Sequence, residues 1–213
     1  MHVDGAPPDR CTGRDHGYTH RHIRQQPASA RWYLLLLLLG LLTACGYDAM
    51  PDNTSTPGAA QDPVVSFNLQ SASFSSMSMI PVRATCVGAD RSPDLIWDGP
   101  ATAQSFVLTV EDPDAPTGVF VHWVLFDIPG RQRTLPEGEA TIGHAGMNDF
   151  GAARYGGPCP PHGDRPHRYF FTLSALNIPT LNLATGATRQ QIDQATRNHV
   201  IGRAQLIGLF GRP

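Results

Sequence analysis

The chain contains no lysine, so arginine supplies all 16 of its basic residues, against 18 acidic residues. The formal net charge is −2, and charged residues make up only 16% of the 213 residues. This balance offers no basic surface for nucleic acid and no strongly acidic surface for a basic partner. We therefore expect no nucleic-acid partner, and we attribute the missing lysine to codon usage rather than to selection for phosphate contacts.

The sequence also lacks an apolar run long enough to span a bilayer, which needs about 20 residues. Its longest run is the eleven residues from Trp32 to Leu42, the length of the apolar region of a signal peptide. The run ends in Leu42-Thr43-Ala44-Cys45 and resembles a bacterial lipobox, whose cysteine becomes the lipid-bearing first residue after cleavage. We predict a signal peptide with a lipobox over residues 1–44.

Residues 45–62 are polar and rich in proline, serine and threonine, which predicts a lipidated cysteine followed by a flexible tether. Acyl chains on Cys45 would hold the protein on the extracytoplasmic side of a membrane of the bacterial cell envelope. Gly46 stands where an aspartate would resemble an inner-membrane retention signal, so the outer membrane is the expected one.

Residues 63–213, the predicted domain, lack the spacings that many metal and hydrolase sites share. They contain no His-x-x-x-His, no Cys-x-x-Cys and no Gly-x-Ser-x-Gly. Two histidines and a carboxylate remain as an alternative metal set, and Cys159 is the only suggestive nucleophile. We expect no metal, no cofactor and no catalytic residue.

Glycine (21) and proline (19) are abundant, which is typical of short strands joined by tight turns. Apolar runs recur about every ten residues between such turns, and Thr188-Arg-Gln-Gln191 resembles a capping box that opens a helix to about Val200. The pattern predicts a mainly β domain, an antiparallel β-sandwich with a C-terminal helix and peripheral short helices. The predicted strands are 64–69, 80–86, 95–97, 106–110, 119–128, 169–176 and 204–210.

Two segments carry the polar residues that suggest a binding site. Asp112 and Asp114 follow the predicted strand 106–110, and His122 lies in the apolar strand 119–128. Downstream, Tyr155-Gly-Gly-Pro-Cys-Pro-Pro-His-Gly-Asp-Arg-Pro-His-Arg-Tyr-Phe-Phe171 combines stiff prolines with permissive glycines, and alternation places His167 and Tyr169 on one face with Arg168 on the other. We expect these aspartates and histidines to meet at strand ends, where an aspartate would raise the pKa of His122 or His167.

The resulting imidazolium, the backbone N–H groups around Gly157 and the Tyr169 hydroxyl would form a donor-rich hole for phosphate or carboxylate. An Asp and His pair also suits general-base chemistry, so a weak hydrolase stays open as an alternative. Residues 131–154 are irregular and lie between the two halves of the site in the sequence. They form either a rim or lid over the site or a long surface connection.

Several segments, in this order, resemble the phosphatidylethanolamine-binding proteins, the family of the Raf kinase inhibitor protein and its bacterial relatives. They are Asp112-Pro-Asp-Ala-Pro116, His122-Trp123, Gly157-Pro-Cys-Pro-Pro161 and His167-Arg-Tyr169, and the resemblance covers about residues 64–212. The chain departs from the family at Ala152-Ala-Arg154, where a glycine-rich turn is usual, and in having one histidine before Trp123 where many animal members have two.

The resemblance implies a pocket for phosphoryl head groups and other small anions, with Asp112, Asp114, His122, Pro161, His167 and Tyr169 at the matching positions. The expected function is non-catalytic binding of such a ligand by a lipid-anchored protein. The alternative is an interaction module that inhibits a kinase, a protease or another hydrolase through residues 131–154. The resemblance also allows a homodimer.

After loss of residues 1–44 and acylation of Cys45, the domain keeps two cysteines, Cys86 and Cys159. An exported protein can pair them. Both positions also resemble cysteines of cytoplasmic relatives, so the disulfide stays open at the level of sequence.

Overall fold

A computed structural model describes residues 63–138 and 141–212. The predicted signal peptide, the lipobox with Cys45 and the tether all lie outside the described residues. Within the described part, no helix is long and apolar enough to cross a membrane.

The described residues form ten strands, one 3-10 turn and one α-helix. In chain order they are β1 Val65–Ser66, β2 Leu69–Gln70, β3 Ser78–Met79, the 3-10 turn Val82–Ala84, β4 Leu95–Trp97, β5 Ser105–Asp112, β6 Phe120–Pro129, β7 Thr134–Leu135, β8 His144–Ala145, β9 His167–Leu176, α1 Arg189–Thr196 and β10 Val200–Phe210. The prediction of a mainly β domain with one helix near its C-terminal end is confirmed.

The main sheet has the order β1-β10-β9-β5-β6-β8, and a smaller sheet has the order β2-β4-β7. The four long strands pair antiparallel, as predicted. The short strands β1 and β3 pair parallel to β10 at the edge of the main sheet, so the main sheet is mixed.

Alternation along the long strands divides the core between the two faces of the main sheet. Phe106, Leu108 and Val110 of β5 point into the cluster that also contains Trp123 and Phe171. The opposite face packs beneath α1, where Ile192 is 1% exposed and belongs to a second apolar cluster. Each fully buried side chain of this size contributes about 1.5–3 kcal/mol relative to exposure, so these clusters hold the long strands in register.

Helix α1 begins as predicted, with a capping box between Thr188 and Gln191. It ends at Thr196, before the predicted end at Val200, because Arg197 leaves the helical conformation (ψ 129°) and Asn198 is left-handed (φ 70°). The backbone N–H of Asn177 then donates to the carbonyl of His199 (3.0 Å), and β10 begins at the next residue. The predicted terminator Gly202 lies inside β10.

The segment 131–154 is more ordered than predicted as far as Ala145. Its strand β7 pairs with β4, and its strand β8 pairs with β6. Leu135 is buried in the main core. Residues 146–154 form no helix or strand and run beside the start of β6, because the backbone N–H of Asp149 donates to the carbonyl of Val121 (2.9 Å).

Candidate functional site

The end of β5 and the beginnings of β6 and β9 meet at one end of the main sheet, because β5 pairs antiparallel with both neighbours. Asp112 at the end of β5 is the register partner of Phe120 at the start of β6. A cavity of about 250 Å³ lies at this end of the sheet. It is lined by Asp112 and residues 115–117 of the turn after β5, by Phe120 and His122, by Phe150, by residues 159–161 and by His167.

Asp112 and His167 form the buried polar pair of this cavity, each 3% exposed. The His167 Nδ1–H donates to Asp112 Oδ2 (2.8 Å), and the backbone N–H of Asp114 donates to Asp112 Oδ1 (2.8 Å). Both carboxylate oxygens are thus satisfied by protein donors. The pairing fixes the orientation of the His167 ring, whose Nε2 lies 3.5 Å from the half-exposed Asp164 carboxylate.

His122 is held by the backbone of the opposite wall. A carbonyl oxygen can only accept, so Nδ1 carries the proton and donates to the Gly156 carbonyl (2.9 Å). Nε2 is therefore the lone-pair nitrogen of the neutral ring. Burial lowers the pKa of His122 below 6.5, and the opposing effects of the Gly156 bond and the Asp112 charge do not offset it. The predicted rise of this pKa is wrong, because the ring is buried among aromatic side chains and its hydrogen bond is to a carbonyl and not to an aspartate.

The structure turns Asp114 away from the cavity. Its carboxylate accepts three bonds from Arg168, from Nε (2.8 Å), Nη2 (2.8 Å) and the backbone N–H (3.0 Å). The Arg168 hydrogen bond is the main reason that the pKa of Asp114 lies well below its ordinary range. Arg168 faces away from His167 and Tyr169 and pairs with an acid, as predicted, and this clamp ties the turn after β5 to the start of β9.

The remaining predicted residues occupy different positions relative to the cavity. Pro161 lines it. The backbone N–H of Gly157 donates to Asp90 Oδ1 (2.6 Å) and is not free for a ligand. Tyr169 lies behind His122, with ring centroids 5.1 Å apart, and its buried hydroxyl is close to Asp112 and is not among the lining of the cavity. Burial, and then the Asp112 charge, raise the pKa of Tyr169.

Sequence reasoning missed the aromatic wall of the cavity. Phe120 and Phe150 stack edge to face (4.8 Å between centroids), and each also contacts the His122 ring. Asn148 holds Phe150 in place by accepting its backbone N–H (3.1 Å). Phe120 could have been found by alternation from His122, whereas Phe150 lies in an irregular segment where no pattern sets its direction.

The structure forms the disulfide between Cys86 and Cys159, whose Cα atoms are 5.4 Å apart. Cys159 also lines the cavity. Among the described residues, no group of three or more His, Cys, Asp or Glu side chains is arranged to hold a metal ion.

Comparison with known proteins extends this picture. The sequence profile of the family described as phosphatidylethanolamine-binding protein matches residues 70–211. An Aquifex aeolicus protein named UPF0098 protein is 43% identical over 148 residues, which cover 67% of this chain and 86% of the relative. A Mycobacterium tuberculosis protein that carries the lipoprotein name LppC is 39% identical over 159 residues, covering 74% of this chain and 77% of the relative.

Two solved structures share the fold. The Chlamydia trachomatis homologue CT736 is 35% identical with a TM-score of 0.65, covering 70% of this chain and 99% of its own. Escherichia coli YbcL is 28% identical, also with a TM-score of 0.65, covering 69% of this chain and 99% of its own. Both solved chains consist almost wholly of the matched region, so in these two relatives the matched region folds by itself. The profile match and these identities establish that the chain belongs to the phosphatidylethanolamine-binding protein family.

Proposed function

We propose that the protein binds a small phosphorylated or carboxylated ligand, of the kind found in a phospholipid head group, in the cavity between Asp112, His122 and His167. It binds this ligand without catalysing a reaction. One observation carries the proposal. The cavity contains two buried imidazoles whose Nδ1 atoms both bond to the protein, so the ligand is bound at their Nε2 atoms, where His167 also has the half-exposed Asp164 carboxylate at 3.5 Å.

The size and wall of the cavity favour a head group. A volume of about 250 Å³ lies below the range of about 300–1,000 Å³ of most ligand pockets, so the ligand is small. Phe120 and Phe150 supply an apolar wall that keeps water away from polar contacts inside and strengthens them.

The carboxylates suggest a ligand that carries both signs of charge. Asp112 lines the cavity, and Asp164 stands at the Nε2 edge of His167. A lone anion meets this negative charge, whereas an ammonium group next to a phosphate complements it. Phosphoethanolamine has this chemistry, in agreement with the name of the matching family.

Non-catalytic binding is the favoured reading over hydrolysis. Cys159 is joined to Cys86, so it has no thiolate with which to attack a ligand. The disulfide excludes covalent attack by this sulfur, and the titration below tests the general-base alternative of the Asp112 and His167 pair.

The lipoprotein name of the mycobacterial relative, together with Leu42-Thr-Ala-Cys45, supports attachment to the bacterial envelope through Cys45. The domain would then act on the extracytoplasmic side, with the outer membrane as the proposed site of attachment where the cell has one.

Calorimetric titration of the fragment Gly46–Pro213 with O-phosphoethanolamine and with inorganic phosphate tests the function. We expect saturable binding that falls at least about tenfold in His167→Ala, because one of the two ligand-facing nitrogens is lost, a change equal to about 1.4 kcal/mol. His144→Ala, at an exposed histidine that contacts Thr185, is the matched control. Equal affinity in the two variants would contradict the proposal.

The same titration separates the alternatives. Release of phosphate that disappears in His122→Ala would indicate a hydrolase. No heat with either ligand, in protein that circular dichroism shows to be folded, would favour an interaction module that uses the segment 131–154.

Anion affinity is expected to rise as the pH falls. A bound anion favours the protonated His122, so its pKa is higher in the complex than in the free protein, where burial lowers it. Binding then takes up a proton, and the association constant rises up to about tenfold per pH unit between the two pKa values. The association constant begins to rise as the pH falls through the pKa of His122 in the complex. It stops rising below the pKa of His122 in the free protein.

Sulfate is the probe for this pH profile, because its charge stays constant where that of a phosphate ester changes, near pH 6. We expect His122→Gln to flatten the profile, since its amide does not titrate. A wild-type profile as flat as that of His122→Gln would show that His122 does not couple to the anion.

A further inference from the structure

The wall of the cavity formed by residues 159–161 has no regular secondary structure. Pro158, Pro160 and Pro161 have no backbone N–H, so strand pairing cannot hold this segment along its length. Its position therefore depends on contacts with other parts of the chain.

The residues just before this wall are attached to the segment 84–90. Three hydrogen bonds join them: Tyr155 OH to the Ala84 carbonyl (2.6 Å), the Gly157 N–H to Asp90 Oδ1 (2.6 Å) and the Cys86 N–H to the Pro158 carbonyl (3.1 Å). The Cys86–Cys159 disulfide extends this attachment by one residue into the wall itself. Cys159 is thus both a disulfide partner and a lining residue of the cavity.

We propose that this disulfide is a redox control on the ligand site, such that the oxidised protein binds the head group and the reduced protein binds it at least about tenfold more weakly. The inference rests on the proposed function, because it concerns the same cavity.

The chemistry requires a thiol reductant, for example a dithiol. Cys86 is exposed and Cys159 is half-buried, so the incoming thiolate attacks the sulfur of Cys86. A mixed disulfide forms there, the bond between the two protein sulfurs breaks, and its electron pair leaves on Cys159 as a thiolate. A second thiolate, which is the other sulfur in a dithiol, then releases Cys86. Overall two thiols become one disulfide, and the protein gains two electrons and two protons.

Reduction changes the cavity in two ways. The wall loses its covalent attachment to the segment 84–90, so its position is less well defined. A thiol that can ionise also replaces a neutral disulfide sulfur at the lining, and a thiolate there opposes a bound anion. Both changes weaken the ligand. Because coupling between two equilibria is reciprocal, the ligand protects the disulfide against reduction by the same factor.

The test uses the fragment Gly46–Pro213 in mixtures of reduced and oxidised dithiothreitol, with thiol labelling to count free cysteines. We expect O-phosphoethanolamine to bind at least about tenfold more weakly after reduction. We also expect saturating ligand to raise the ratio of reduced to oxidised dithiothreitol at half-reduction by the same factor. The double variant Cys86→Ser/Cys159→Ser lacks both the disulfide and the thiols. Its affinity therefore shows the effect of the unattached wall without the effect of a thiolate.

Equal affinity in the oxidised and reduced forms would overturn the inference. A reduced protein that unfolds as a whole by circular dichroism would also overturn it, because the disulfide would then support the fold and not the site. If the oxidised protein binds neither O-phosphoethanolamine nor phosphate, the proposed function fails. The redox control then fails with it, whereas binding that reduction leaves unchanged overturns the redox control alone.

Discussion

Asp112→Ala is expected to lower the free energy of unfolding by about 3 kcal/mol. The carboxylate is 3% exposed and accepts two bonds, from His167 Nδ1–H and from the Asp114 N–H, both at 2.8 Å. Alanine leaves both donors without their acceptor at a buried edge of the sheet. Each buried donor without a partner costs about 1–3 kcal/mol, so two of them account for the loss.

The same substitution should weaken ligand binding at least about tenfold, because Asp112 fixes the orientation of the His167 ring and hence the direction of its Nε2 atom. Urea denaturation measures the stability, and calorimetry with O-phosphoethanolamine measures the affinity. Asp112→Asn keeps one acceptor oxygen and should lose less of both. Asp193→Ala removes an exposed aspartate that pairs with Arg189 on α1 and is the control. An Asp112→Ala protein as stable as the control would show that the buried pair contributes little.

The meeting of Asp112, His122 and His167 could be predicted from the sequence because each lies in or at the end of a recognisable strand. Once β5 pairs antiparallel with its two neighbours, the end of one strand and the beginnings of the other two must meet. Alternation along β9 was equally informative, since it placed Arg168 on the face away from His167 and Tyr169.

The direction of Asp114 could not be predicted in this way. The residue lies in the turn after β5, where no period of two sets the side-chain direction. The guanidinium of Arg168, from a strand more than 50 residues away in the sequence, draws it out of the cavity. A spacing of two between Asp112 and Asp114 suggested a shared role, and the structure separates them into a cavity residue and a clamp residue.

The pKa of His122 depends on how deeply its ring is buried, which the sequence does not show. Phe120 lies two residues away, but Phe150 and Tyr169 come from separate segments, and together they surround the ring. Their burial of the ring outweighs the Asp112 charge. The parallel pairing of β1 and β3 with β10 was beyond prediction for a related reason, since each has only two residues and no local pattern fixes its direction.

Gly157→Ala is expected to cost about 2–3 kcal/mol of unfolding free energy and to weaken the ligand, although its N–H does not face the cavity. A Cβ at this position would lie 2.5 Å from the Ala84 carbonyl oxygen, 2.6 Å from Asp90 Oδ1 and 2.8 Å from the Thr85 Cα. Two of these are backbone atoms, which cannot move aside by a change of rotamer. The two segments must therefore separate, and the wall moves with them.

Gly163→Ala is the matched control, in the loop that follows the wall. Gly163 has a φ of +81° with no atom within 4 Å of the added Cβ, so its cost is the strain of that backbone conformation, about 1–2 kcal/mol. Urea denaturation and calorimetry with O-phosphoethanolamine compare the two variants. Equal affinities would contradict the expectation. A loss of affinity in Gly157→Ala alone would show that the ligand depends on how closely the wall packs against the segment 84–90, since the substitution replaces no lining residue.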